Sequence, residues 1–426
     1  MIIHIVEEGD TLNSIAAQYE LTPERVVLEN ELPNPERLVI GQSLGIRIPE
    51  VVHTVAAGDT LASVAEEYDI QPNQILMHNP QIAVSDTLTP GDDLVISYRD
   101  EEKIYTVSLN GYAYPFINRD NLRKTLPFLT FLSIFTYGFS PSGELFPADD
   151  EALIALANQF GVAPIMVLAP MNEEGAFDTQ IAHNMFTNPA GQTALINNLV
   201  STLQEKGYRG IDIDFEFILP EDRQNFLNFI TAVHTRLQEE GLLTFVALAP
   251  KTSGTQVGLL YEAHDYPAIG GVADYVLVMT YEWGYTYGPP MATSPINNMR
   301  TVLTYAVSAI NPDKILMGIP NYAYDWPLPF VQGETAAENI SNQDAIVRAV
   351  RFGVDISFDQ TAQSPFYYYT DEGVQHVVWF DDVRSMNSKL RLIPEFGLYG
   401  GGVWQIMNFF PGLWLVVDSL FNVRKL

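Results

Sequence analysis

Tyr208-Arg209-Gly210-Ile211-Asp212-Ile213-Asp214-Phe215-Glu216-Phe217 alternates acidic and large apolar side chains over its second half. On a strand, successive side chains point to opposite faces, so Asp212, Asp214 and Glu216 share one face. Ile211, Ile213, Phe215 and Phe217 share the other, which is expected to pack against helices. The acidic face then has to look into a closed sheet. Carboxylates crowded together out of water raise one another's pKa, by desolvation and by repulsion. A carboxylic acid keeps its proton near neutral pH by this means. A solvated edge strand does not account for four flanking Ile and Phe residues. Metal binding needs further ligands, and none of the seven His residues has metal-type spacing. Neither a metal nor a cofactor is expected.

Around this segment, apolar strands alternate with helical stretches. Strands are predicted at residues 103–109, 129–135, 162–169, 208–216, 242–249, 273–280, 314–319 and 398–406. Helices lie between them, for instance at 151–160, 191–206 and 222–240. Eight β/α units over residues 103–426 predict a TIM (β/α)8 barrel, an α/β fold whose active sites sit at the C-terminal ends of the strands. The last two predicted strands are far apart, so a small insertion precedes the final strand and includes the aromatic run Phe366-Tyr367-Tyr368-Tyr369. The apolar stretch between Gly412 and Phe421 is short and carries Asp418, so it reads as core rather than membrane.

The first hundred residues form a repeat instead. Val6-Glu7-Glu8-Gly9-Asp10-Thr11-Leu12 returns as Val55-Ala56-Ala57-Gly58-Asp59-Thr60-Leu61. Ile15-Ala16 matches Val64-Ala65, Tyr19 matches Tyr68, Asn30 matches Asn79, and Gly41-Gln42-Ser43-Leu44 answers to Gly91-Asp92-Asp93-Leu94. Each unit, 1–49 and 51–98, reads strand, helix, helix, strand, a small α+β repeat with Asp10 or Thr11 able to cap the first helix. Gly41-Gln42-Ser43-Leu44-Gly45 also fits a nucleophile elbow, but it lies in a small repeat whose second copy has Asp93 in place of the serine.

The chain has 426 residues, no cysteine and a formal charge of −30. Residues 1–100 carry 17 acids and 4 bases, net −13, which leaves −17 for the other 326. This surface disfavours nucleic acid and anionic membrane as partners, since both are bound through Lys and Arg clusters. No segment reaches membrane-spanning length, and membrane insertion is not expected. The start, Met1-Ile2-Ile3-His4-Ile5-Val6, lacks a basic region and a small-residue cleavage site, so no signal peptide and synthesis in the cytoplasm are expected. Nothing in the sequence fixes the oligomeric state.

The repeats resemble tandem LysM modules, by the Val-x-x-Gly-Asp-Thr-Leu start, the mid-unit Asn and the Gly-x-x-Leu close. That resemblance implies binding to N-acetylglucosamine polymers, peptidoglycan or chitin. Residues 209–216 resemble the Asp-x-x-Asp-x-Asp-x-Glu signature of glycoside hydrolase family 18 on strand four of a TIM barrel, with Arg209 in place of the first Asp. Met279-Thr280-Tyr281-Glu282 is similar to the family's Met-x-Tyr-Asp. Gly318-Ile319-Pro320-Asn321-Tyr322 is similar to its Gly-x-Pro-x-Tyr, and Gly402-Val403-Trp404-Gln405 to its strand-eight Trp segment. The combination resembles the spore cortex-lytic N-acetylglucosaminidases. It implies a β-N-acetylglucosaminidase acting on peptidoglycan of the spore cortex and deposited on the spore (coat or cortex), with chitinase and non-catalytic lectin as alternatives.

The resemblance carries roles to single residues. Glu216 is the acid and then the base, and the substrate's own acetamido carbonyl is the nucleophile. Asp214 orients the acetamido group, Asp212 tunes Asp214, and Tyr281 hydrogen-bonds the acetamido oxygen. Trp404 stacks under the sugar, with Glu282, Asn321 and Tyr322 as further substrate contacts. Core packing is the alternative for Trp404 and Tyr281. Tyr112, in Gly111-Tyr112 at the end of strand one, is a further candidate for the substrate site, with a structural role as an equal alternative.

Overall fold

The computed structural model describes residues 1–85, 87–99, 103–172 and 177–426. Eight parallel strands close on themselves: β1 (Tyr105–Ala113), β2 (Phe131–Phe139), β3 (Ala163–Leu168), β4 (Gly210–Ile213), β5 (Leu243–Leu248), β6 (Tyr275–Val278), β7 (Ile315–Pro320) and β8 (Gly400–Trp404). β8 pairs back onto β1, Gly401 beside Leu109, and completes the barrel. The outward Ile, Leu and Val side chains of the strands join the helix faces in one core. The interior is filled separately by Phe131, Ile165, Val167, Phe245, Leu277, Leu316 and their neighbours. The predicted TIM barrel is thus present, and all eight predicted strands have a counterpart.

Two strand boundaries differ from expectation in ways that matter for the site. β1 runs to Ala113 rather than 109, so Tyr112 is part of the ladder, opposite Ser133. β4 stops at Ile213 rather than at Glu216. The reason lies in the neighbouring strand: Ile213 pairs with Leu168, the last residue of β3, and the chain beyond has no continuing strand on that side. Phe215 still turns outward, stacked between Phe139 and Phe226 at 5.5 and 5.7 Å. Phe217, expected on the same face, is 43% exposed because its φ of 52° turns the chain away from the barrel.

The insertion between β7 and β8 is a five-stranded antiparallel sheet. The aromatic run lies on its strand Ser364–Asp371, with Tyr367 and Tyr369 buried and Tyr368 exposed, the alternation a one-sided sheet requires. The segment 412–421 is largely the helix Pro411–Leu420, buried along most of its length. Among the described residues no helix is long and apolar enough to cross a membrane.

Each N-terminal repeat folds as read. Ile2–Ile5 pairs with Ser43–Ile46 and Pro49–Thr54 with Asp93–Tyr98, both antiparallel, around two helices. Thr11 rather than Asp10 caps the first helix, accepting from the Ser14 N–H, while Asp10 accepts from the Glu7 N–H. Thr60 and Asp59 repeat this division of labour.

The repeats dock on the barrel rather than trailing from it. Asp418, on the helix Pro411–Leu420, receives Arg47 of the first repeat, His78 of the second at 3.5 Å and Lys103 at 3.3 Å. The Ile356 N–H donates to the Ile40 carbonyl at 2.8 Å. At this contact Gly41 has a φ of +83°, and a Cβ there would stand 1.9 Å from the Ile356 oxygen, so only glycine fits.

Candidate active site

The mouth of the barrel holds a cleft of about 440 Å³ lined by Tyr114, Phe135, Thr136, Met171, Phe177, Asp214, Glu216 and Trp404. β4 and the residues after it deliver the acids in a line from the barrel interior outward. Asp212 is fully buried, and Tyr112 donates to its Oδ2 at 2.5 Å. Asp214 follows, 7% exposed, and Glu216 stands half-buried at the cleft. Oδ1 of Asp212 and Oδ1 of Asp214 are both buried without a hydrogen-bond partner, so each can still accept a proton or a donor.

Burial governs the electrostatics. It pushes Asp212 up to about 6, with the Tyr112 hydrogen bond opposing. Asp214 is raised well above its ordinary value by burial, and further by the charges of Glu216 and Asp212. Glu216 is pushed up to about 7, by burial first and then by Glu282. A carboxyl in that range can donate a proton at neutral pH and take one back later in a cycle.

Tyr281, just beyond β6, is 7% exposed, and burial followed by the charge of Asp214 holds its phenol well above its ordinary pKa. It is therefore a donor facing acids. Glu282 beside it adopts a φ of +66° and accepts from the Tyr322 hydroxyl, with the Tyr324 hydroxyl 3.4 Å away. Trp404 closes the cleft at the end of β8, its ring 5.0 Å from Phe135 and 5.7 Å from Tyr112. Tyr112, Tyr281, Trp404, Glu282 and Tyr322 are thus gathered around the acidic line.

Asn321 is placed differently. It is 2% exposed, and its amide N–H groups donate to the carbonyls of Gln405 and Asn408, both at 3.0 Å. Its visible contacts tie the end of β7 to the loop that follows Trp404. Arg209, in place of the signature's first Asp, is exposed at the opposite end of β4.

Five cleft residues were absent from the sequence reading: Tyr114, Phe135, Thr136, Met171 and Phe177. Tyr114 is two residues past Tyr112, and Phe135 ends a predicted strand, so strand-end position was an available signal for both. Met171 and Phe177 come from the loop after β3 and carry no motif. Among the described residues no group of three or more His, Asp and Glu side chains is arranged to hold a metal ion.

A closed β/α barrel with a line of carboxyls running to an aromatic-lined cleft at its mouth has the architecture of a glycoside hydrolase. The chain belongs to glycosyl hydrolases family 18, whose profile matches residues 175–408, and the LysM profile matches residues 4–47 and 53–97. It is 41% identical to the cortical fragment-lytic enzyme of Bacillus subtilis, over 100% of this chain and 99% of that one. The crystal structure of the spore cortex-lytic enzyme SleL of Bacillus megaterium is similar at a TM-score of 0.83 and 39% identity, covering 99% of this chain and 98% of the other. That of Bacillus cereus SleL is similar at 0.84 and 35%, covering 100% and 99%.

Proposed function

We propose that the chain hydrolyses β-1,4 N-acetylglucosaminyl bonds of peptidoglycan, with the spore cortex as its substrate, by a retaining mechanism in which the substrate's acetamido group is the nucleophile. The observation that carries this reading is the graded line Asp212, Asp214, Glu216, with Glu216 pushed up to about 7 at the cleft wall. Glu216 protonates the glycosidic oxygen as the C1–O bond breaks. The acetamido carbonyl oxygen closes on C1 and forms a cyclic oxazolinium ion. Asp214, with an unpartnered Oδ1, accepts the acetamido N–H and balances the ring's positive charge. Asp212 sets the charge of Asp214 from below. The Tyr281 hydroxyl donates to the acetamido oxygen and aims it. Water, deprotonated by Glu216, then opens the ring at C1 and returns the sugar with its configuration retained.

Trp404 supplies the apolar face beneath the sugar, with Tyr112 setting the edge of that floor. Glu282 and Tyr322 meet the polar rim of the substrate, and Asn321 serves it through the loop that follows Trp404. The LysM pair holds the insoluble polymer, which places the protein on the spore. The match to the cortical fragment-lytic enzyme of Bacillus subtilis along 100% of this chain and 99% of that one supports cortex over chitin as the polymer.

The deciding experiment offers two otherwise identical glycans, one carrying N-acetylglucosamine and one glucosamine at the cleaved residue. A well-placed internal nucleophile contributes about 7–11 kcal/mol, so only the acetylated glycan is expected to be cut. Equal cleavage under saturation overturns the mechanism. Mass spectrometry of digested cortex and of chitin, read at the new reducing ends, assigns the polymer.

A further inference from the structure

Glu216 and Asp214 lie beyond the last rung of β4, yet their aim has to be fixed. On the β3 side the Asp214 N–H still donates to the Leu168 carbonyl at 3.0 Å. On the β5 side the ladder ends where Ile213 pairs with Val246. His264, in the segment after β5, stands in that gap. The Ala249 N–H, one residue past β5, donates to His264 Nδ1 at 2.8 Å. A backbone N–H can only donate, so Nδ1 is the acceptor and the ring proton sits on Nε2. That Nε2 is 3.1 Å from the Phe215 carbonyl, to which it donates. The imidazole therefore joins the ends of two neighbouring strands through both of its nitrogens.

The surroundings hold the ring to this one state. His264 is 1% exposed, and burial brings its pKa down to about 4 against the pull of the Phe215 carbonyl. Lys251, itself 1% exposed, donates from Nζ to the carbonyls of Tyr261 and of His264 at 3.0 and 2.9 Å. This pins the segment that carries the imidazole. Phe226 lies 5.9 Å from the ring and stacks on Phe215, so the side chain and the carbonyl of Phe215 are held by one cluster.

We propose that His264 is a positioning residue for the reaction: its imidazole replaces a missing rung of the β4–β5 ladder, fixes the Phe215 carbonyl, and so aims the carboxyls of Asp214 and Glu216 on either side. The Phe215 carbonyl belongs to the peptide that joins Phe215 to Glu216. Rotation of that peptide swings the Glu216 Cα directly and the Asp214 side chain one residue away. The inference rests on the reading of Glu216 as the acid.

Two substitutions separate the halves of the bridge. The amide of His264→Asn reaches only the place of Nδ1 and keeps an acceptor for Ala249. That of His264→Gln reaches the place of Nε2 and keeps a donor for Phe215. On a soluble chromogenic N-acetylglucosamine oligomer, His264→Asn is expected to lower kcat about tenfold to a hundredfold with KM little changed, because small misplacements of reacting groups cost that much. The limb of its pH profile that belongs to Glu216 should move as well. His264→Gln should recover most of kcat and the original limb. Wild-type kcat and pH profile in both variants, or losses that follow thermal stability alone, overturn the proposal. A measurement on the unaltered protein needs no variant to fold: nitrogen NMR of labelled histidine must show His264 with its proton on Nε2, and a proton on Nδ1 also overturns it. Glu216→Gln run alongside keeps the two readings apart. Normal turnover there defeats the assignment of the acid, whereas an inactive Glu216→Gln beside a normal His264→Asn defeats the rung alone.

Discussion

Asp212 shows most directly what the site costs the fold. It is fully buried, has one hydrogen bond and an orphaned Oδ1, and is pushed up to about 6. Because its folded pKa is raised, it carries no penalty below the unfolded value near 3.8. The penalty grows as pH rises through about 6, where the folded group also ionises. Asp212→Asn removes the charge and keeps an acceptor for Tyr112. It is expected to stabilise the protein by on the order of 1–3 kcal/mol above about pH 6, with no gain below about pH 4, while turnover falls. Chemical denaturation across that pH range checks it; equal stability at pH 8 would show that the buried charge is relieved by other means. Glu216, pushed up to about 7, has the complementary signature in activity. Below that pH it holds the proton it must donate, so kcat is expected to fall as pH rises through about 7. Glu216→Gln should lose about 10²–10⁴-fold in kcat with sugar affinity retained, and isothermal titration with a chitooligosaccharide measures the second half of that statement.

At the scale of elements, period and spacing were legible because they follow from local geometry. Alternation put Asp212, Asp214 and Glu216 on the inner side, and Ile211, Ile213 and Phe215 outward, as the structure has them. What was not legible depends on neighbours far away in sequence. The stop of β4 at Ile213 follows from where β3 ends, and the turn at Phe217 from a left-handed backbone that no composition rule requires. The cleft residues Met171 and Phe177 are brought in by a loop, and the pairing order of the inserted sheet is set by long-range contacts. The repeat itself carries one more legible signal, a histidine pair. His4 and His53 sit at the repeat's own spacing of 49, and each bridges a tyrosine hydroxyl and an aspartate: Tyr19 at 3.0 Å and Asp10 at 3.1 Å, Tyr68 at 3.2 Å and Asp59 at 3.0 Å. These trios tie the first strand of each LysM module to the Gly-Asp-Thr turn. In the same turn Thr60 closes a reciprocal cap with Ser63. Thr60→Ala is expected to cost about 1 kcal/mol, confined to the second module. Hydrogen exchange over the helix Leu61–Glu67 should rise accordingly while that of Leu12–Gln18 stays unchanged.

Across the whole molecule, the decisive feature is that the binding modules and the barrel share buried surface. Asp418 is 2% exposed, and the charges of Arg47, His78 and Lys103 hold its carboxyl far below the usual range despite burial. A depressed pKa gives stability that is present above the unfolded value of 3.8 and is lost as pH falls through the lower folded one. Asp418→Asn removes the buried anion that Arg47 and Lys103 share. Breaking a buried pair in this way costs about 3–5 kcal/mol, so its deficit against the unaltered protein should be constant above about pH 4 and shrink below it.

The same interface changes what removal of residues 1–98 is expected to do. From sequence, that deletion separates a targeting unit from an independent catalyst. In the structure it also uncovers the helix Pro411–Leu420, which packs on the helices Pro23–Asn30 and Pro72–His78 and carries Trp414 at 1% exposure. It strips Arg47 and His78 from Asp418 as well. The truncated chain is therefore expected to melt earlier than the full chain and to lose retention on insoluble wall. The lining of the catalytic cleft comes wholly from residues 114–404. Well below its melting temperature, then, the truncated enzyme should cut a soluble oligosaccharide with kcat close to that of the full chain. Calorimetry, a wall pull-down and soluble-substrate kinetics on the same preparation read the three effects separately. Undiminished wall retention removes the targeting role from the LysM pair. A large loss of kcat in truncated protein shown to be folded means that docking of the modules shapes the catalytic cleft, an outcome the geometry of the lining residues argues against.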